Sequence, residues 1–158
     1  MRKPRPRRIQ AFTLVELMIV IIILGILATV IIALFSNSSR DAAATALKDN
    51  LRAMRSSLQL YAAQHVTYPS VANFEAQMTE YSDAAGNVSA SASAAYPFGP
   101  YIQRMPNMPV GIHRGMTTVT GPTYTAGFGW LYDPATGYIK ANLPDSDVDN
   151  EGVLFNTY

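Results

Sequence analysis

Residues 12–35 read FTLVELMIVIIILGILATVIIALF, from Phe12 to Phe35. The stretch holds one charge, Glu16, and no proline. As a helix it covers about 36 Å, more than the roughly 30 Å of a hydrocarbon core. Five cations precede it (Arg2, Lys3, Arg5, Arg7 and Arg8), and mixed charge follows from Arg40 and Asp41. Basic flanks stay in the cytoplasm, so the chain from Ser36 onward is expected beyond the inner membrane. A secretory signal has an apolar region of only about 7 to 15 residues ending in a small-residue cleavage site. Here the apolar run is longer and continues directly into helix-compatible sequence. Hydropathy alone leaves an uncleaved signal anchor open. Neither reading accounts for Glu16, because a carboxylate in an apolar span costs about 2.5–3.5 kcal/mol on insertion scales and calls for a partner.

Ala11-Phe12-Thr13-Leu14-Val15-Glu16-Leu17 closely resembles the processing motif of type IV pilins and type II secretion pseudopilins. The resemblance is dense over residues 8–35. It implies that a prepilin peptidase removes a cytoplasmic leader, residues 1–11, by cutting between Ala11 and Phe12. It also implies N-methylation of Phe12 and a filament core made of residues 12–35. That family usually has Gly before the cut, where this chain has the small Ala11. Cleavage would create an ammonium at Phe12, and Glu16 is its natural counter-charge, within one helix or between staggered neighbours. In low dielectric such a pair sets axial register. The bland alternative is a carboxylate that snorkels to water. The family often carries a kinking proline where Ala33 stands, so an unbroken helix is expected here.

Of 158 residues, 123 follow Phe35, room for one modest exported domain, residues 36–158. Without residues 1–11, seven Lys plus Arg stand against eleven Asp plus Glu, a net of −4. An acidic processed chain offers no electrostatic case for nucleic acid. There is no cysteine, so no disulfide staples the exported domain.

No Gly or Pro occurs between Ile26 and Tyr68, so the helix is expected to run on over 36–64. Leu47, Leu51, Met54, Leu58 and Tyr61, spaced four, three, four, three, predict one apolar stripe packed on the chain's own domain. The helix should end near His65 to Pro69. Val71 to Tyr81 has helical spacing, and residues 82–95 read as an exposed, variable Ser/Ala-rich loop of low order, with O-glycosylation as an alternative. Ala126 to Leu131 and Tyr138 to Asn142 read as strands joined by a turn at Asp133-Pro134-Ala135-Thr136-Gly137, with a third near Gly152 to Asn156. The expected fold class is α+β: a long N-terminal helix packed on a small antiparallel sheet over 126–156. Trp130 reads as a packing residue.

Gly99-Pro100-Tyr101-Ile102, the proline-punctuated Pro106 to Gly111 and Tyr68-Pro69 are similar to the major pseudopilins of type II secretion. Asp145, Asp147, Asp149 and Glu151 alternate along one segment, a density of hard oxygen ligands that suits calcium. The segment fails as an EF-hand, since Asn150 replaces the Gly and Asn156 the bidentate Glu. The resemblance nonetheless implies a calcium site in this region; the alternative is a solvated acidic loop.

His65 and His113 stand in unrelated contexts, and no phosphate loop, HExxH or G-x-S-x-G is present, so an enzyme is not expected. Three functions compete. The first is a major pseudopilin, polymerised in the periplasm to move exoproteins through an outer-membrane secretin. Its partners would be copies of itself, prepilin peptidase, minor pseudopilins, the inner-membrane assembly platform and secreted substrates. The second is a type IV pilin of a surface fibre for adhesion, motility or DNA uptake. The third is a membrane-anchored binding protein that never polymerises. Glu16 disfavours the third, and Gly99 to Ile102, the missing cysteines and the acidic loop favour the first.

Overall fold

The protein is described by a computed structural model over residues 12–158; the leader, and with it Ala11 and the cut before Phe12, lies outside the described residues. The chain divides between Ser38 and Ser39 into two units. Helix α1, Leu14–His65, belongs to both and is continuous through Gly25 and residue 33. It ends where the sequence gains Val66, at a φ of 65°, whose N–H donates to the Ala62 carbonyl at 2.9 Å.

In the unit Ser39–Tyr158, the expected stripe is the core face of α1. Leu47, Leu51, Met54, Leu58 and Tyr61 are all at most 1% exposed. They pack with Phe74, Met78, Met108, Trp130, Tyr132 and Ile139. Each fully buried side chain of this size contributes about 1.5–3 kcal/mol.

Helix α2, Phe74–Thr79, is shorter than the predicted Val71 to Tyr81. Its C-terminal end is consumed from outside: the N–H groups of Tyr101 and Ile102, in the Gly99 to Ile102 segment, both donate to the Met78 carbonyl. Tyr81 enters strand β1, Tyr81–Ser82, which pairs antiparallel with β2, Val88–Ser89. The expected low-order loop over 82–95 therefore starts as a hairpin. Asp83 builds its turn, accepting from the N–H groups of Ala85 and Asn87, each at 2.9 Å.

The second sheet has the order β3 (Val119–Thr120), β4 (Trp130–Asp133), β5 (Tyr138–Ala141). The hairpin β4–β5 is antiparallel and turns through Asp133 to Gly137 as expected. β3 pairs parallel with β4, so the sheet is mixed rather than purely antiparallel. The Ala126 to Leu131 strand is displaced toward the C-terminus. Gly127 takes a φ of 86°, and the approach of Gly129 to the Met116 carbonyl leaves no room for a Cβ. Glycines make this approach a turn, and pairing starts at Trp130. The expected strand over Gly152 to Asn156 is replaced by one bridge, Val148 to Leu154, and a 3-10 helix, Phe155–Thr157. The Asp149 carboxylate takes the N–H groups of Glu151 and Val153, and pairing there stops at that single bridge.

Candidate functional site

At the start of α1, Thr13 and Glu16 cap each other. Glu16 Oε2 accepts from the Thr13 N–H at 2.9 Å and from its hydroxyl at 2.8 Å, while Thr13 Oγ1 accepts from the Glu16 N–H at 3.2 Å. This is a capping box, the Thr-x-x-Glu signature that satisfies otherwise orphaned helix donors. Sequence reasoning gave Glu16 a charge partner and missed Thr13, although the spacing was in view. The box aims the carboxylate back along the chain toward Phe12, at the helix end where the backbone dipole favours a negative charge. Among the described residues, Glu16 Oε1 accepts no hydrogen bond, which leaves it open to a further donor.

Around this cap the side chains have no cover. Exposure of the large apolar residues from Phe12 to Ile32 runs from 48% at Val20 to 81% at Leu14, and Phe12 itself is 80% exposed. The helix is long and apolar enough to cross a membrane. A helix apolar on every side has its partner outside its own unit, in lipid or in other chains.

The acidic segment is arranged differently from a cation cage. Asp145 Oδ1 accepts from Asn156 Nδ2 at 2.7 Å, and Asp147 Oδ2 accepts from the Ile112 N–H at 3.3 Å. Asp149 holds the N–H groups of Glu151 and Val153 on Oδ1 and the Tyr158 hydroxyl on Oδ2. Among the described residues, no three His, Cys, Asp or Glu side chains gather as a metal site. In this arrangement Asp145, Asp147 and Asp149 each accept from a separate protein donor rather than converging on one point. The Tyr158 hydroxyl, followed by backbone N–H groups and the Lys48 charge, holds the Asp149 carboxyl below the usual range, against the opposing effect of burial. Burial first, then Asp149, pushes the Tyr158 phenol up to about 12.

Lys48 and Arg55 of α1 secure the same Tyr158. The ammonium of Lys48 lies 4.4 Å from its ring centroid, and Arg55 Nη2 donates to its carbonyl oxygen at 2.7 Å. Arg55 also donates to the Ile139 carbonyl through Nε and Nη2. Sequence reading missed this clamp, since nothing local links positions 48 and 55 to 158.

The two histidines are packing residues. His65 stacks on Tyr61 at 3.9 Å, with its ring nitrogens 3.0 Å from the Tyr61 carbonyl and the Ser82 hydroxyl. His113 reaches the Asn142 carbonyl and stacks on Tyr124. Trp130 is fully buried and donates to the Pro106 carbonyl at 3.0 Å, the packing role expected of it.

Residues 6–32 match the family described as the prokaryotic N-terminal methylation motif. The type II secretion system core protein G of Pseudomonas aeruginosa is 34% identical over 64 residues, 40% of this chain and 45% of that protein. The protein of the same name from Klebsiella pneumoniae is 29% identical over 105 residues, 66% of this chain and 71% of that one. The chain thus spans less than half the length of the Pseudomonas relative. No solved structure matches it.

Proposed function

We propose that this chain is a member of the type IV pilin and pseudopilin superfamily and a structural filament subunit, the major pseudopilin of a type II secretion system. In this reading it waits in the inner membrane with its N-terminus cytoplasmic and the domain 36–158 periplasmic. Prepilin peptidase cuts between Ala11 and Phe12 and methylates Phe12. The subunit then joins minor pseudopilins and copies of itself on an inner-membrane platform, and the growing filament moves exoproteins toward a secretin. It performs no catalysis.

The observation that carries the reading is the uncovered apolar helix beginning at a Thr13–Glu16 cap beside Phe12. Lipid is as apolar as Leu, so moving this helix from bilayer to filament gains little from the hydrophobic effect. Shape packing and charge pairing have to drive it. The Phe12 ammonium of one subunit and the Glu16 carboxylate of another supply that pairing, and the free Oε1 receives it.

Intact mass of the membrane-extracted protein tests the processing step: loss of residues 1–11 plus one methyl group is expected, and an intact leader returns the chain to a plain signal anchor. Glu16→Ala should leave insertion and cleavage intact and block polymerisation. It leaves the Phe12 ammonium unpaired in the filament core, at a cost of about 3–5 kcal/mol. Normal sheared filaments from that variant would remove the register role.

A second reading, a type IV pilin of a surface fibre, has support of its own: the family match covers only residues 6–32, a motif common to both kinds of filament. A deletion strain separates them. Lost exoproteins with normal surface fibres mean secretion; the reverse means a pilus.

A further inference from the structure

The unit Ser39–Tyr158 has an open cleft of about 330 Å³ beside its first helical turn, lined among others by Arg40, Ala43, Val110, Arg114, Asp147 and Phe155. Two guanidiniums face one carboxylate there. Asp147 is occupied by the Ile112 N–H, and neither arginine lies within ion-pair distance of it. Arg40 Nη2 reaches only the Val148 carbonyl, at 3.4 Å, and among the described residues the Arg114 guanidinium has no partner. Among its lining side chains the cleft therefore carries one more cation than anion, beside Ala43, Val110 and Phe155.

The opposite charge sits at the other end of the same unit. Glu75 in α2 and Glu80 just after it flank a shallow surface with Ala72, Ala76 and Thr79. Among the described residues neither carboxylate accepts a hydrogen bond or forms an ion pair. Position along α1 follows from the contacts: Ser57 donates to the Tyr101 carbonyl, and the Tyr101 N–H donates to Met78 in α2. Seventeen residues of helix separate Arg40 from Ser57, about 25 Å.

We propose that the Arg40–Arg114 cleft receives Glu75 and Glu80 of a second copy of this chain. The inference rests on the filament reading and names one of its lateral contacts. Two complementary patches at different places on one surface form a heterologous contact, which propagates as an open helix when the rotation does not close. Exposed ion pairs are individually weak, but like charges placed in the same contact are strongly unfavourable, so the patches select one orientation of the neighbour.

The test is the yield of sheared filaments from cells expressing the full chain. Arg40→Glu with Arg114→Glu should cut the yield at least about tenfold, as should Glu75→Arg with Glu80→Arg, and all four changes together should restore it. Because the chain has no cysteine, Arg114→Cys with Glu80→Cys adds a readout independent of charge: oxidised filaments should give covalent ladders that either single variant lacks. Normal yield from the reversed pairs overturns the proposal, as does a fourfold variant no better than the pairs together with absent ladders; in those cases the cleft serves another occupant, such as an acidic peptide of a carried protein. Wild-type chain that makes no filaments removes the filament reading and this contact with it, whereas indifferent variants beside normal wild-type filaments remove the contact alone.

Discussion

Val66 occupies the left-handed region at a φ of 65° and is 93% exposed, with its side chain in water. A β-branched residue there bears about 1–2 kcal/mol of strain that glycine does not. Val66→Gly should therefore stabilise the protein by about 1 kcal/mol after the added freedom of the unfolded chain is subtracted, read as a higher thermal midpoint. Asp149 gives a residue-scale pH effect. Its folded carboxyl is held below the usual range, first by the Tyr158 hydroxyl. Such a group contributes stability that is present above the unfolded carboxyl pKa and is lost as pH falls through the folded one. Tyr158→Phe removes the leading cause, so acid unfolding should begin at a higher pH in the variant, followed by circular dichroism between about pH 2 and 6. At the alkaline end, a phenol pushed up to about 12 favours the folded state only while protonated. That contribution falls between the ordinary tyrosine value, about 10, and 12, and the variant should lack it. Neither residue could be picked out from the chain alone. Val66 carries no glycine signature, and the donor to Asp149 stands nine positions further on.

Elements were legible in proportion to their periodicity. The Leu47 to Tyr61 stripe repeats over four turns, and every member is buried. The Asp133 to Gly137 turn was equally plain, because its chemistry is local: Asp133 takes the Ala135 N–H and the Thr136 hydroxyl, and Gly137 turns at a φ of 71°. A Cβ at Gly137 would lie 2.3 Å from the Tyr68 ring, an approach that only glycine permits. Gly137→Ala should destabilise by about 2 kcal/mol or more, combining backbone strain with displacement of that ring, measurable as a lower denaturant midpoint. Two-residue strands escape such reading. β3 has no alternation to detect, and its parallel partner is set by packing rather than by a tight turn. The glycines at 127 and 129 looked compatible with a strand until their contacts were known. Residues 152–156 pair only at the Val148–Leu154 bridge, and the Asp149 side chain takes the Val153 N–H that a longer ladder would use.

Across the whole molecule, a chain without cysteine must still hold its C-terminal region against the helix it started from. It does so through α1: Arg55 donates to both the Ile139 and Tyr158 carbonyls, and Lys48 covers the Tyr158 ring. The acidic segment is tied into the same closure, since Asp149 accepts from Tyr158 and Asp145 from Asn156. The Lys48 and Arg55 contacts cross roughly a hundred positions of sequence, beyond anything composition or spacing encodes. Metal removal tests whether the acidic segment also takes calcium. Thermal melts with a chelator and with added calcium separate the two cases: an unchanged midpoint leaves the closure to Tyr158, Asn156 and Arg55. A midpoint raised by calcium would mean that Asp145, Asp147 and Asp149 exchange those donors for the cation. Arg55→Ala should lower the midpoint under either condition, by about 2–3 kcal/mol of stability, since it strips a charged donor from two carbonyls at once. If chelation weakened the wild-type protein and Arg55→Ala did not, the closure would depend on metal rather than on the arginine.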